Sequence, residues 1–271
     1  MRRLLLIPMA LLLGCAPTPE APSGMSDLAA FFFREHTEAD VLDLGHGIAN
    51  LEQLLLDVDY TAEASADRAF QLEDLEDADV DAVQHPDAPL ADCIEVAVTK
   101  RSRHPIDLHA ALFVQQDQVP AQTSTERYDR TFVTGEPECF LDGGCARLGT
   151  SNDIRRANLL YTVDYVMPKE IVWADLVDAS GTPLGRRGLT ARSWLDQSWT
   201  ADNGQTQLLQ SYTVEVWIEE DDGTTTRFEA NYTDIFIPGV SDEGTIRSTV
   251  RSGIDNAFDK NDDAIDELFG S

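Results

Sequence analysis

The sequence predicts an α+β fold, in which an antiparallel β-sheet follows a helical segment and precedes a long C-terminal helix packed on it. Three observations predict this class. Apolar residues recur at steps of three and four over residues 27–60 and again over 241–269, which is typical of amphipathic helices. Over residues 93–238 the apolar period changes to two. These candidate strands follow one another through short turns, so we expect antiparallel pairing with one face buried.

The chain begins with an export signal. Met1-Arg2-Arg3 is a short cationic region, and the apolar run from Leu4 to Leu13 is too short to cross a bilayer as a helix. The run ends in Leu12-Leu13-Gly14-Cys15, which resembles the lipobox of bacterial lipoproteins. The alternative interpretations of the same residues are an ordinary secretory signal and a buried helix with a chance cysteine.

The resemblance implies that residues 1–14 are a signal peptide and that Cys15 is the lipidated first residue of the mature protein. It also implies a location in the bacterial cell envelope, and Ala16, where Asp would favour the inner membrane, favours the outer membrane, facing the periplasm or the surface. The proline-spaced residues 15–26 predict an extended tether. Residues 27–271 then form a single domain.

The composition is strongly acidic. The chain has 49 acidic and 20 basic residues, for a formal charge of −29, which becomes −31 when Arg2 and Arg3 leave with the signal. Nucleic acid is therefore excluded as a partner, because phosphate contacts require clustered cations. An anionic membrane surface would also repel the domain, so membrane attachment would depend on acylated Cys15. The charge itself indicates solubility more than a cation-binding function.

Three cysteines remain after Cys15. An exported domain sits where disulfides persist, and Cys139 and Cys145 flank the flexible stretch Phe-Leu-Asp-Gly-Gly. We predict a disulfide between these two residues. Cys93 is then a buried free thiol at the start of a strand.

The helical segment carries an apolar stripe from Val41 to Val58, with a start favoured by Thr37 and Asp40. Gly45-His46-Gly47 is expected to kink or interrupt it, with His46 as an exposed turn residue. Residues 61–92 are acidic and predict a linker or a short solvated helix.

Residues 93–238 contain the predicted strands. Ile94, Val96 and Val98 alternate with less apolar residues, and Pro168 is expected to end one strand before Ile171 begins the next. The other extended candidates are Ile106 to Val114, Tyr128 to Val133, and the alternating set Leu159, Tyr161, Val163, Tyr165 and Met167.

A hairpin and a helix complete the domain. Leu208, Tyr212, Val214, Val216 and Ile218 are predicted to share one strand face, the run from Glu219 to Gly223 predicts a turn, and Phe228, Ala230 and Tyr232 return on one face. Pro238-Gly239 ends the sheet. Ser241-Asp242-Glu243 then begins the last helix, whose apolar residues recur every four positions.

No sequence motif specifies a chemistry. The chain lacks a nucleophile elbow, a phosphate-binding loop, a dinucleotide fingerprint and a zinc motif, so we expect no cofactor and no metal site and name no catalytic residue. His104 and His109 would point to opposite faces if they lay on a strand. The basic run Lys100-Arg101-Ser102-Arg103-His104 and the pair Arg186-Arg187 predict turns balanced by nearby carboxylates.

The predicted architecture is similar to helix-grip or START-like folds, without a shared motif. That likeness implies a cavity between the sheet and the last helix that takes a lipid or another hydrophobic ligand. Tyr161, Tyr165, Tyr212, Phe228 and Tyr232 would line it, and the alternative interpretation is that these aromatic residues belong to the ordinary core. The alternatives are a structural or interaction lipoprotein that supports an envelope complex, and a hydrolase whose site carries no known motif.

Overall fold

The computed structural model describes residues 18–37, 41–157 and 161–270. Three residues named in the sequence predictions lie outside the described ranges: the helix-start residue Asp40, the strand residue Leu159 and the predicted lipidation residue Cys15. The helices are α1 (Met25–Arg34), α2 (Val41–Leu55), α3 (Asp77–Val80), α4 (Ile106–Phe113), α5 (Pro137–Leu141) and α6 (Glu243–Phe269). The strands are β1 (Ala69–Phe70), β2 (Ile94–Ser102), β3 (Thr125–Thr134), β4 (Arg147–Ala157), β5 (Thr162–Val177), β6 (Pro183–Trp194), β7 (Trp199–Thr200), β8 (Gln207–Glu219) and β9 (Thr225–Phe236).

The nine strands form one antiparallel sheet in the order β1-β2-β9-β8-β6-β5-β4-β3, and β7 pairs with β8 outside this path. The α+β class is thereby confirmed, including the antiparallel pairing. The acidic turn from Glu219 to Gly223 joins β8 to β9, and Gly223 has the positive φ of 80° that such a turn requires.

Two predicted strand boundaries are wrong. Pro168 does not end a strand, because β5 runs through it while pairing with Ser151 of β4. Pairing between β5 and β6 begins only at Lys169, so β5 has a single partner strand, β4, at Pro168. A proline, which has no N–H to donate, is tolerated at such an edge position. The extended candidate 106–114 is the helix α4, which begins directly after Pro105, a residue compatible with a helix start.

One face of the sheet is covered by α1 and α2. The even-numbered side chains of β8 and β9, together with Val172 and Ala174 of β5, form the main apolar core against these helices. The α2 helix continues through Gly45 and Gly47 without the predicted interruption. A Cβ at Gly45 would lie 2.0 Å from the carbonyl oxygen of Asp175, so glycine is what allows α2 to touch β5.

The predicted tether and the acidic segment both contribute contacts. The amide of Glu20 donates to Asp43, and Asn50 donates to the carbonyl of Pro22, so residues 20–22 lie against α2. Within the acidic segment, Leu72, Leu75 and Val80 are buried in the main core. This segment also supplies β1, which the sequence pattern did not indicate.

The opposite face of the sheet is covered by α6 and α4. Ile254 and Phe258 of α6 pack on Val96 of β2 at one side of the sheet. At the other side, Ala264 and Ile265 pack beside the short 3-10 turn Val119–Ala121 that precedes β3. The α6 helix thus bridges the two sides of the sheet and leaves a partly open space between helix and sheet.

The start of α6 is capped by Asp242, one of the residues that the sequence indicated, and its end is capped by Gly270. The Asp242 side chain accepts a hydrogen bond from the Thr245 amide at 2.7 Å, and Gly270 ends the helix with a φ of 65°. Although α6 has 27 residues, no helix in the described ranges has both the length and the apolar character needed to span a bilayer.

The cysteines are arranged as predicted. Cys139 and Cys145 form a disulfide around the α5 segment, and Cys93 is a buried free thiol directly before β2. Burial raises the pKa of the Cys93 thiol to about 12, so it stays protonated and unreactive.

Candidate functional site

The space between α6 and the sheet is a cavity of about 370 Å³. Its floor consists of the sheet side chains that face away from α1 and α2, and its roof consists of α6, the end of α4 and the segment that leads into β3. Apolar and polar side chains share its walls. The apolar wall residues include Leu112, Phe113, Tyr128, Ile154, Tyr161, Val163, Tyr165, Met167, Leu208, Trp217, Ile235, Val250, Ile254 and Phe258.

The α6 wall shows why this space is not filled. Val250, Ile254 and Phe258 anchor the helix through large side chains. On the same side, Gly253 and Ala257 also line the cavity and have almost no side chain. A Cβ built at Gly253 meets no atom within 4 Å. The two small residues therefore leave the space beneath this part of α6 unfilled.

The aromatic residues predicted to line a pocket divide between the two faces of the sheet. Tyr161 and Tyr165 line the cavity, and burial raises the pKa of Tyr165. Tyr212, Phe228 and Tyr232 lie in the main core on the opposite face, beneath α1 and α2. The structure does not bring the five residues together, because alternation along β8 and β9 turns these three away from α6.

Leu208 also differs from the prediction. A register shift between Leu208 and Gln210 places Leu208 in the cavity wall, although it was expected to share a face with Tyr212.

A charged group lies on the cavity floor. The ammonium of Lys169 contacts the carboxylate of Glu215 and lies 4.9 Å from the ring centre of Phe113. Glu229 is the direct cross-strand partner of Glu215, so the two carboxyl groups are neighbours.

Glu229 holds its proton more strongly than an ordinary glutamic acid. The uncovered part of Glu229 faces the cavity, so its carboxyl is shielded from bulk solvent. Desolvation, and secondarily the charge of Glu215, raise its pKa from 4.5 to about 8, while Lys169, Arg156 and Arg227 act in the opposite direction. Near neutral pH the Glu229 carboxyl is therefore a hydrogen-bond donor.

Arg130 of β3 is a buried cation in the same wall. Its side chain is held from three sides: Nε donates to Oδ1 of Asn152 at 2.9 Å, Nη1 donates to the carbonyl of Phe113, and Nη2 donates to the Tyr128 hydroxyl at 3.1 Å. Asn152 is itself fixed, because its amide donates to the Met167 carbonyl at 2.8 Å. The guanidinium is therefore locked in position beside the cavity.

The basic cluster predicted at residues 100–104 is balanced by acids of α6, as expected. Lys100 pairs with Asp259, and Arg103 pairs with Asp266. The predicted placement of His104 and His109 on opposite faces of a strand is wrong, because His109 lies on α4, and the two rings are 6.5 Å apart. Arg186 and Arg187 are also paired, with Glu52 and Asp107.

A second group of buried polar side chains fastens α6 to the sheet. Ser102 donates to Asp262 of α6 at 2.7 Å, Arg227 pairs with the same carboxylate at 2.9 Å, and His109 contacts the Ser102 hydroxyl at 3.1 Å. Burial and the charge of Arg227 lower the pKa of His109 well below its usual range. Because the Ser102 proton is directed at Asp262 and away from the imidazole, this group lacks the geometry of an activated serine.

In the part of the chain that the structure describes, no group of three or more His, Cys, Asp or Glu side chains is arranged to hold a metal ion.

Comparisons with known proteins give no family. No protein-family profile matches the chain, and no curated protein matches it. Among solved structures, the protein TTHA0849 from Thermus thermophilus is similar at 14% identity, with a TM-score of 0.40, over 63% of this chain and 96% of that one. The ZhuI aromatase/cyclase from a Streptomyces species is similar at 10% identity, with a TM-score of 0.37, over 64% and 91% of the two chains. Human STARD10 is similar at 7% identity, with a TM-score of 0.41, over 64% of each chain. Similarities this low assign no function.

Proposed function

We propose that this protein is an exported, membrane-anchored lipoprotein whose domain binds a small amphipathic molecule between α6 and the sheet. The cavity is the observation that carries the proposal. Its volume of about 370 Å³ lies within the range of small-molecule sites, roughly 300–1,000 Å³. A space of this size is not a packing defect, since protein interiors are close-packed with few voids larger than a water molecule.

The composition of the walls favours an amphipathic ligand over a purely apolar one. Tyr161, Tyr165 and Met167 offer apolar surface that a hydrocarbon or ring system would cover. The indole N–H of Trp217 is buried and has no hydrogen-bond acceptor among the described residues. Glu229 supplies a second donor near neutral pH. Buried donors of this kind favour ligands that accept hydrogen bonds and penalise those that cannot.

Two features of the cavity support ligand binding: the sheet that forms its floor is rigid, and the helix α6 that forms its roof is held by contacts at its two ends. The floor belongs to the continuous sheet, so the polar groups on it are fixed before a ligand arrives. The roof depends on contacts at the two ends of α6. A ligand would replace cavity water, bury its apolar part against Tyr165 and Met167, and direct its polar part to the charged floor.

The membrane anchor is the second part of the proposal. The lipobox-like residues before Cys15 support acylation, and stable attachment needs more than one acyl chain. The acidic domain gains nothing from anionic headgroups, so the anchor would carry the attachment alone. We place the protein at the outer membrane, where a ligand-binding domain would meet periplasmic or external molecules.

The binding proposal is tested by extraction. The full chain carrying Cys15→Ser, which removes the acylation site, is purified without detergent, denatured in organic solvent and analysed for small molecules by mass spectrometry. We expect one class of amphiphile at close to one molecule per chain. Added dodecanoate or 1-dodecanol should also raise the melting temperature, because ligands stabilise the state that binds them. No extracted molecule together with no thermal shift would contradict the proposal and favour interaction with an envelope protein.

The anchor is tested by fractionation. The parent chain should be recovered with the outer membrane and released only by detergent, whereas Cys15→Ser should appear in the soluble periplasmic fraction or remain as an unprocessed precursor in the inner membrane. Recovery of Cys15→Ser in the outer membrane at the level of the parent would contradict lipidation at Cys15.

A further inference from the structure

Arg130 is a buried cation with no carboxylate partner. The nearby surface arginines Arg127 and Arg155, which do not line the cavity, pair with Asp153 and Asp164. Arg156 does line the cavity, beside Gln122 and the Tyr165 ring, but unlike Arg130 it is exposed to solvent. Arg130 is only 3% exposed, yet its contacts are an amide oxygen, a backbone carbonyl and a tyrosine hydroxyl. No described carboxylate lies within ion-pair distance of it. In a chain with 49 acidic residues, this pairing pattern is unexpected.

A buried guanidinium without a counter-charge is costly. Arginine stays protonated in proteins, so burial cannot neutralise it as it can a lysine or a carboxyl group. Its neutral acceptors satisfy three of the five N–H groups and leave one on each terminal nitrogen without an acceptor among the described residues. The two free donors belong to the two nitrogens that bind a carboxylate or phosphate in the bidentate manner.

The rest of the cavity does not supply the missing charge. The carboxylate of Glu215 is occupied by Lys169. Glu229 faces Glu215, Lys169, Arg156 and Arg227, and it holds its proton near neutral pH. The interior charges therefore leave one positive charge uncompensated, at the end of the cavity where Asn152 and Tyr128 hold Arg130.

From this arrangement we infer that the ligand carries an anionic headgroup, a carboxylate or a phosphate monoester, and that Arg130 binds it. The apolar part of the same molecule then lies along Tyr165 and Met167. This inference rests on the proposed function and narrows it to acidic amphiphiles.

The test compares headgroups on one apolar chain. Dodecanoate, dodecyl phosphate and 1-dodecanol are titrated calorimetrically into the full Cys15→Ser chain below their micelle concentrations. We expect one of the two anions, or both, to bind about tenfold or more tightly than the alcohol, since a hydrogen bond to a charged group contributes more than a neutral one. Acetate and inorganic phosphate test for a free anion, and we expect both to bind far more weakly than the amphiphiles.

Two variants assign the difference to Arg130. Arg130→Met should remove most of the preference for the anions, so that the ratio of anion affinity to 1-dodecanol affinity falls about tenfold. Arg155→Gln is the matched control: it removes an arginine from the neighbouring strand β4, where Arg155 pairs with Asp164 on the other face, and it should leave all affinities unchanged.

The outcomes separate the two claims. If the Cys15→Ser chain with no substitution in the cavity binds the anions and the alcohol equally tightly, the headgroup inference is overturned and the proposed function stays intact. This comparison does not depend on the folding of any cavity variant. An equal loss for anions and alcohol in Arg130→Met would also overturn it. Binding of free phosphate as tight as that of dodecyl phosphate would identify a site for a free anion instead of an amphiphile. If no amphiphile binds, the proposed function itself fails.

Discussion

Gly253 offers a way to close the cavity without disturbing the fold. It lies inside α6 at an exposed position that lines the cavity, and a Cβ placed there meets nothing within 4 Å. We predict that Gly253→Leu abolishes ligand binding and at the same time stabilises the protein. A change that removed binding by unfolding the site would do the opposite to stability.

The magnitude follows from two contributions. Replacing glycine inside a helix by leucine removes a helix-propensity penalty of about 1 kcal/mol. Full burial of a leucine side chain contributes roughly 1.5–3 kcal/mol, and partial enclosure over an open cavity realises only part of that. We therefore expect the free energy of unfolding to rise by about 1–3 kcal/mol. At this chain length each kcal/mol corresponds to about 2–4 °C in melting temperature.

The assay is urea unfolding followed by calorimetric titration of dodecanoate into the same preparation. Gly253→Ala is the control, because it gains the helix contribution but adds one methyl group, so it should be stabilised by about 1 kcal/mol and still bind. The reasoning is refuted if Gly253→Leu binds dodecanoate as tightly as its parent, or if it is less stable than Gly253→Ala by more than about 1 kcal/mol, since a clash there would mean that the space is not open.

Three further predictions concern stability. Because the pKa of Glu229 is raised in the folded state, its contribution is complete below about pH 4.5 and is lost as the pH rises towards about 8. Glu229→Gln should therefore gain stability relative to the parent by a few kcal/mol between pH 5 and pH 8 in urea unfolding, and a constant difference would contradict this. Arg227→Met should cost about 3 kcal/mol by leaving Asp262 buried without its partner, and adding Asp262→Leu should recover part of the loss; no recovery in the double variant would count against a paired network. Replacing both Cys139 and Cys145 by serine should cost about 2 kcal/mol, the entropy of a short closed loop, and an unchanged melting temperature would show that the loop is ordered without the bridge.

Periodicity predicted the elements whose two faces differ most. The C-terminal helix was expected over 241–269 and spans Glu243–Phe269, because its apolar residues recur every four positions and Asp242 and Gly270 mark its ends. The hairpin of β8 and β9 was equally clear from alternation and an acidic, glycine-containing turn. In both elements the apolar periodicity and the residues at the ends predict the same secondary structure.

Periodicity did not predict the correct element where a short segment is mostly apolar, or where strand pairing determines the boundary of a strand. The α4 helix buries Ile106, Ala110, Leu112 and Phe113, so its short apolar run could not be told from a strand. Strand β5 continues through Pro168 because pairing with β6 begins only at the next residue, Lys169. The sequence around Pro168 does not show where a distant strand begins to pair.

The cavity face could not be identified from aromatic alternation. Both faces of the sheet are covered, and the more apolar one, with Tyr212, Phe228 and Tyr232, belongs to the core under α1 and α2. The signal for the cavity was the opposite alternation, in which Glu215 and Glu229 occupy positions between buried apolar residues. Charged residues within an otherwise buried strand are costly unless they serve a site.

Photo-crosslinking tests the central claim most directly, because it locates a ligand relative to the sheet. Dodecanoic acid carrying a diazirine is bound to the full Cys15→Ser chain, irradiated, and the labelled peptides are sequenced by mass spectrometry. The account predicts labels on the inner side of α6 around Ala257 and on the cavity face of β5 around Met167, both suppressed by Gly253→Leu. Labels confined to α1, α2 or the outer surface, or labels unaffected by that substitution, would contradict it.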